Sequence, residues 1–202
     1  MQSRRLLATT GRGALAGGFT KDNLTEWAIR EWGRKDSSIG GHYVDLLKHQ
    51  ISPQCAAMLE SHRHPSSALT RALFQSTPFA LERILVTTLG IGSSSNNNNI
   101  LPTKFQPGDS YLFWTAKDVT PHEIILCWAL GSSCGFTMLG VDPKLKMVYF
   151  GSGVRSSSYH QGFLFQKILI PCHLFYSNLL IKGMVAKLEE LADKEVANNK
   201  NS

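Results

Sequence analysis

Residues 162–184 read GFLFQKILIPCHLFYSNLLIKGM, the most apolar stretch of this 202-residue chain. A helix that crosses a bilayer needs about 20 consecutive, mostly apolar residues. The longest uncharged run here, residues 168–181 between Lys167 and Lys182, has 14, and it also holds His173, Ser177 and Asn178. That length suits a buried helix of a water-soluble domain. Wound at about 100° per residue, Cys172, Phe175, Tyr176 and Leu179 form one broad stripe, continued by Gly183 and Ala186. Ile170, Leu174, Ile181 and Leu188 are apolar as well and lie opposite. More than one face of the helix must therefore be covered. The pattern runs from about Tyr159 to Ala192, and Pro171 is expected to kink it.

The elements before this helix say what it packs against. Residues 42–52, HYVDLLKHQIS, alternate Tyr43, Asp45 and Leu47 with Val44, Leu46 and Lys48 and read as a strand stopped by Ser52-Pro53. Two helical segments follow, about 66–75 and 78–89, the second with Thr77 as N-cap, Pro78 in its first turn and Gly90 beyond its end. Residues 92–108 carry SSSNNNN and several Gly and Pro, which predicts a long low-complexity loop. Four strand-like runs come next, 110–117, 122–130, 134–141 and 145–153, with turns at Pro121, Gly131 and Asp142-Pro143. In the second run Ile124, Leu126, Trp128 and Leu130 share one face, and Ile125, Cys127 and Ala129 share the other. Large groups on one side and smaller apolar ones on the other predict a curved sheet with helices on one face.

This order predicts an α+β helix-grip fold: a curved antiparallel sheet wrapped on a long C-terminal helix, with two short helices after the first strand. The domain should span 39–193. Residues 1–38 form an N-terminal extension with a short helix near 22–32, where Leu24, Trp27, Ala28 and Trp32 share a face, and 194–202 form a disordered tail.

Three stretches carry a family resemblance: ALFQSTPFALERILVTTLGI (72–91), PGDSYLFW (107–114), and residues 159–188 with His160, Gly162, Pro171 and His173. On these the chain resembles the START and birch-pollen-allergen (SRPBCC, helix-grip) superfamily over about residues 43–192. Within it the chain looks most like an uncharacterised, mainly bacterial family, domain of unknown function twenty-eight sixty-seven. The resemblance implies a cavity between sheet and terminal helix that takes a hydrophobic ligand. That family has an acidic, His-bearing run where this chain reads WALGSSCGF (128–136). An activity resting on that run is not expected here.

Composition narrows the classes further. The net charge of +6 is concentrated at the N-terminus, where Arg4, Arg5, Arg12 and Lys21 stand in 21 residues without an acid. Such a segment resembles a mitochondrial transit peptide, although Leu15 falls among the arginines and the four glycines at 11, 13, 17 and 18 oppose a helix. A cytoplasmic location is expected, with the mitochondrion as the alternative. No basic stripe is interleaved with aromatics, so nucleic acid is not an expected partner. Cys55, Cys127, Cys134 and Cys172 lack metal-ligand spacing and read as buried free thiols. His62 and His64 have no third ligand nearby, and Gly90-Ile91-Gly92 is not a phosphate loop. No metal and no cofactor is expected.

The candidate ligand-binding residues are Trp128, Phe136, Tyr149, His173 and Phe175, four aromatics expected to face the interior and a histidine that could orient a polar end. In an ordinary domain the aromatics would be plain core, and His173 would bond a carbonyl freed by Pro171. His160 and His173 are thirteen residues apart, so on one helix they diverge by about 220° and cannot grip one ion. No Ser/His/Asp set stands out, and Asp45, Asp109, Glu123 and Asp142 look scattered at strand ends and turns. No catalytic residue is assigned. The expected function is binding of a hydrophobic small molecule or lipid. The alternatives are a cyclase- or isomerase-type enzyme using a cavity His or Tyr, and a membrane-peripheral or protein-interaction module.

Overall fold

The alternation in residues 122–130 decides which way every strand faces. The computed structural model describes residues 15, 17–32, 43–88, 100–130, 133–156 and 170–200. In it the strands β1 (Tyr43–Gln50), β2 (Ser110–Tyr111), β3 (Trp114–Val119), β4 (Glu123–Leu130), β5 (Ser133–Asp142) and β6 (Met147–Ser156) form one antiparallel sheet, ordered β1-β6-β5-β4-β3-β2. From β2 to β6 each strand pairs with the next, and β1 closes onto β6. The long helix α5 (Ile170–Lys200) packs against this sheet. The α+β fold expected from the sequence is the fold observed.

Ile124 and Leu126 of β4 bury into the core shared with α5, together with Leu139 and Val141 of β5 and Val148 and Phe150 of β6. Ile125 of β4 and Phe136 and Met138 of β5 bury into a second core on the other face. That face is also covered. Helix α1 (Lys21–Trp32) lays Leu24, Trp27 and Ala28 on it, joined by Leu15 and Phe19. The helix expected in the N-terminal extension forms, and its apolar face belongs to the packed body.

Three helices rather than two follow β1: α2 (Pro53–Ser61), α3 (Pro65–Gln75) and α4 (Thr77–Thr88). Ser52-Pro53 ends the strand, as expected, and also begins a helix. Ser52 is the N-cap, its hydroxyl accepting from the Cys55 N–H at 3.0 Å, and Pro53 sits where no N–H is needed. The same Ser52 gives its backbone N–H (2.8 Å) and hydroxyl proton (2.5 Å) to the Glu189 carboxylate of α5. Between α3 and α4 the capping residue is Ser76 rather than Thr77. Its hydroxyl donates to the Leu73 carbonyl (2.7 Å) and accepts from the Phe79 N–H (3.4 Å). Gly183 of α5 lets Pro78 of this joint approach closely. A Cβ there would stand 2.7 Å from the proline Cδ.

The phase of α5 differs from the sequence reading. Ser177, Leu180, Ile181, Met184, Val185, Leu188 and Ala192 are its buried residues, while Cys172, Phe175, Leu179 and Ala186 face outward. The helix is apolar on both sides over 170–181, so hydrophobicity alone could not choose the face. Pro171 is the second residue of the described helix. The helix expected before Pro171, on the far side of the predicted kink, and His160 fall in the 159–169 portion outside the described residues, as do loop residues 92–99. All four cysteines are free, but only Cys55 is buried and Cys172 is exposed.

Candidate functional site

The two halves of α5 meet the sheet differently. From Leu180 onward its inward side chains fill the core. Over the first turns the inward positions are His173, Tyr176 and Ser177, which leave space beneath them. That space is a cavity of about 460 Å³. Phe74 of α3, Phe79 of α4, Trp114 of β3, Leu126 and Trp128 of β4 and Phe150 of β6 form much of its wall. Phe74 and Phe79 meet edge to face at 4.7 Å, and Phe79 lies 5.3 Å from Trp114, so the aromatic wall is packed and rigid.

Two polar clusters break this apolar lining. The first starts from strand register. Asp45 of β1 lies directly opposite Ser152 of β6, both facing α5. Asp45 Oδ1 accepts the Ser152 backbone N–H at 2.9 Å and its hydroxyl at 2.6 Å. Oδ2 accepts the Tyr43 hydroxyl at 3.0 Å. His173 comes down from α5, with Nε2 2.6 Å from Ser152 Oγ and 3.8 Å from Asp45 Oδ2. Tyr43 meets its imidazole edge to face at 5.6 Å. Ser152 has one proton, and a carboxylate can only accept. With that proton on Asp45, Nε2 must be the donor to Ser152 Oγ, and Nδ1 keeps the lone pair of a neutral imidazole. Burial lowers the His173 pKa, and the charge of Asp45 opposes that shift. Burial raises the Tyr43 pKa, reinforced by the Asp45 charge and hydrogen bond.

This is a Ser/His/Asp set that sequence spacing concealed, but its order is not that of a nucleophilic triad. There the imidazole sits between carboxylate and hydroxyl and takes the hydroxyl proton. Here the serine sits in the middle and its proton is committed to Asp45. The set fixes a tautomer and does not activate Ser152. Asp45, expected at a strand end, is the third residue of β1 and only 5% exposed.

The second cluster is Glu82 of α4 with Tyr176 of α5, whose hydroxyl donates to Glu82 Oε2. Both line the cavity. Burial raises the Glu82 pKa, and the Tyr176 hydrogen bond opposes it. Tyr176 is raised in turn, by burial first and then by the Glu82 charge and hydrogen bond.

Of the five residues nominated from the sequence, Trp128 and His173 line this space. Phe136 borders it through its place on β5, but its ring belongs to the other face, edge to face with Trp27 at 5.0 Å. Tyr149 also lies on that outer face, stacked on Phe19 at 4.5 Å. Phe175 is 67% exposed. Phe136 is fully buried, as expected of an interior residue, while the expectation that Tyr149 and Phe175 project into the interior beneath α5 is corrected by strand parity and by the phase of α5. Sequence reasoning missed Tyr43, Asp45, Glu82, Ser152 and Tyr176. The available signal was a charged residue on the inward side of an alternating strand. Among the described residues, no three His, Cys, Asp or Glu side chains converge as metal ligands would. Nor is any helix among them long and apolar enough to cross a membrane.

Comparison with known proteins adds little to this geometry. No family model and no curated protein matches the chain. Among solved structures, an uncharacterized protein from Rhizobium leguminosarum aligns over 75% of this chain and 97% of its own, at 14% identity and a TM-score of 0.39.

Proposed function

We propose that the protein binds a hydrophobic small molecule or lipid in the cavity beneath the first turns of α5. One observation carries this reading: about 460 Å³ of space walled chiefly by aromatic and aliphatic side chains, within the range of small-molecule sites. Removing apolar ligand surface from water is worth about 25 cal/mol per Å², so burying about 200 Å² contributes roughly 5 kcal/mol before ordering costs. His173 and Tyr176, one helical turn apart, supply the polar contacts that orient such a ligand. The test is to incubate the purified protein with a lipid extract, re-isolate it and identify co-purifying molecules by mass spectrometry. A recurrent species, and a rise in melting temperature on adding it back, supports the reading. A protein that returns empty and is unmoved by a broad lipid panel overturns it.

A second reading is proton transfer at His173, as in a cyclase or isomerase. The observation that favours it is the tautomer enforced by Asp45 and Ser152, which leaves a neutral imidazole with Nδ1 as its basic atom. Conversion of a co-purifying ligand, with a rate that follows the His173 titration and disappears in His173→Ala, is the expected result. Ligand binding without conversion rejects it.

A further inference from the structure

The charges around the cavity constrain what kind of head group the ligand carries. Glu82 lines the space, and Tyr176 occupies only its Oε2. Among the described residues, no donor reaches Oε1. A second carboxylate, Asp45, stands behind His173 at 3.8 Å. No Lys or Arg is among the described residues that line the cavity. His173 cannot balance these acids at neutral pH while burial keeps its imidazole uncharged. Among the described residues, the lining therefore presents a carboxylate with no Lys or Arg against it, in surroundings that water screens less than at an open surface.

We infer that the ligand is a hydrophobic amine, whose ammonium group donates to the open Oε1 of Glu82 while its apolar body lies against the Phe74, Phe79 and Trp114 wall. This deepens the proposed function and rests on it. A half-buried carboxylate with one hydroxyl partner among the described residues is incompletely satisfied. An ammonium completes its shell with a charge-assisted hydrogen bond, stronger than a neutral one. A fatty acid would bring a further carboxylate toward Glu82 and lose affinity through repulsion.

Three chain-matched probes test this on the full-length protein by calorimetry at neutral pH: decylamine, 1-decanol and decanoate. Decylamine should bind at least tenfold tighter than decanoate, with 1-decanol between them. Glu82→Gln should weaken decylamine about tenfold, weaken 1-decanol far less and remove most of the preference. Retained 1-decanol binding shows that the variant's cavity is intact. If Glu82→Gln fails to fold, Tyr176→Phe serves instead: it leaves both carboxylate oxygens open and should sharpen the amine preference several-fold, and a preference it leaves unchanged then overturns the assignment. Decanoate binding as tightly as decylamine, or a preference untouched by both variants, overturns the amine assignment and leaves the cavity reading standing. No binding of any probe, together with an empty protein after lipid-extract incubation, overturns both.

Discussion

Asp45 and Ser152 lie opposite each other on β1 and β6, and a single carboxylate oxygen of Asp45 takes both the backbone N–H and the hydroxyl proton of Ser152. The pair ties a sheet edge to its neighbour and sets the orientation of His173 above it. Removing either partner leaves a buried polar group unsatisfied, which costs about 1–3 kcal/mol. Ser152→Ala and Asp45→Ala should each lower unfolding free energy by that amount in urea. The double variant should cost less than the sum, because each single change already breaks the shared bonds.

The pH dependence follows from His173. Its folded pKa lies below the ordinary value of 6.5, because burial disfavours the imidazolium. Between the folded value and 6.5 the unfolded chain binds more protons than the native one, so stability rises with pH across that window and falls as pH drops through it. Side-chain NMR should place the His173 titration below 6.5. Asp45→Asn should push it lower still, because the opposing carboxylate charge is gone.

Gly183 sets how closely α5 approaches the start of α4, with a Cβ there falling 2.7 Å from Pro78 Cδ. Gly183→Val should force the helices apart and cost about 1–3 kcal/mol, despite raising local side-chain content in a helix. A lowered denaturation midpoint with an unchanged slope is the expected signature.

Trp27 of α1 packs edge to face on Phe136, deep in the outer core. Trp27→Ala should cost about 3–5 kcal/mol, as a large core aromatic does. A deletion of residues 1–38 should be worse, because it uncovers Ile125, Phe136 and Met138 together. A wild-type melting temperature after that deletion contradicts the packing of α1 described above.

Two phenylalanines separate cavity wall from surface. Phe74 is buried among Phe79, Tyr111 and Trp114, and Phe175 stands in solvent. Phe74→Ala should cost about 3–5 kcal/mol. Phe175→Ala should stay within about 0.5 kcal/mol.

What could be read in the amino acids was the layering. The parity of Ile124, Ile125 and Leu126 survives as two distinct cores, and residues 170–181 of the apolar run belong to a helix on a sheet. The phase of that helix was not readable, because Phe175 and Leu179 are as hydrophobic as Leu180 and Ile181. Only the sheet and α3, against which the helix buries Ile181 and Leu188, decide. The target of α1 was hidden for a related reason. Its apolar face is evident in Leu24, Trp27 and Ala28, but the surface it covers is made by strands a hundred residues later. The polar cluster was least legible of all. Asp45 and Ser152 are 107 residues apart, and their meeting depends on the register of β1 against β6.

Ser52 grips Glu189 with two donors, far along α5 from the cavity. The 16 residues from His173 to Glu189 span roughly 24 Å of helix. The clasp is the point about which a tilt of the helix would turn. A swing of about 5° there carries the His173 end through roughly 2 Å over the 24 Å arm. An aperture would widen at one end while the far half, which buries its own Met184, Val185 and Leu188 in the core, hardly stirs.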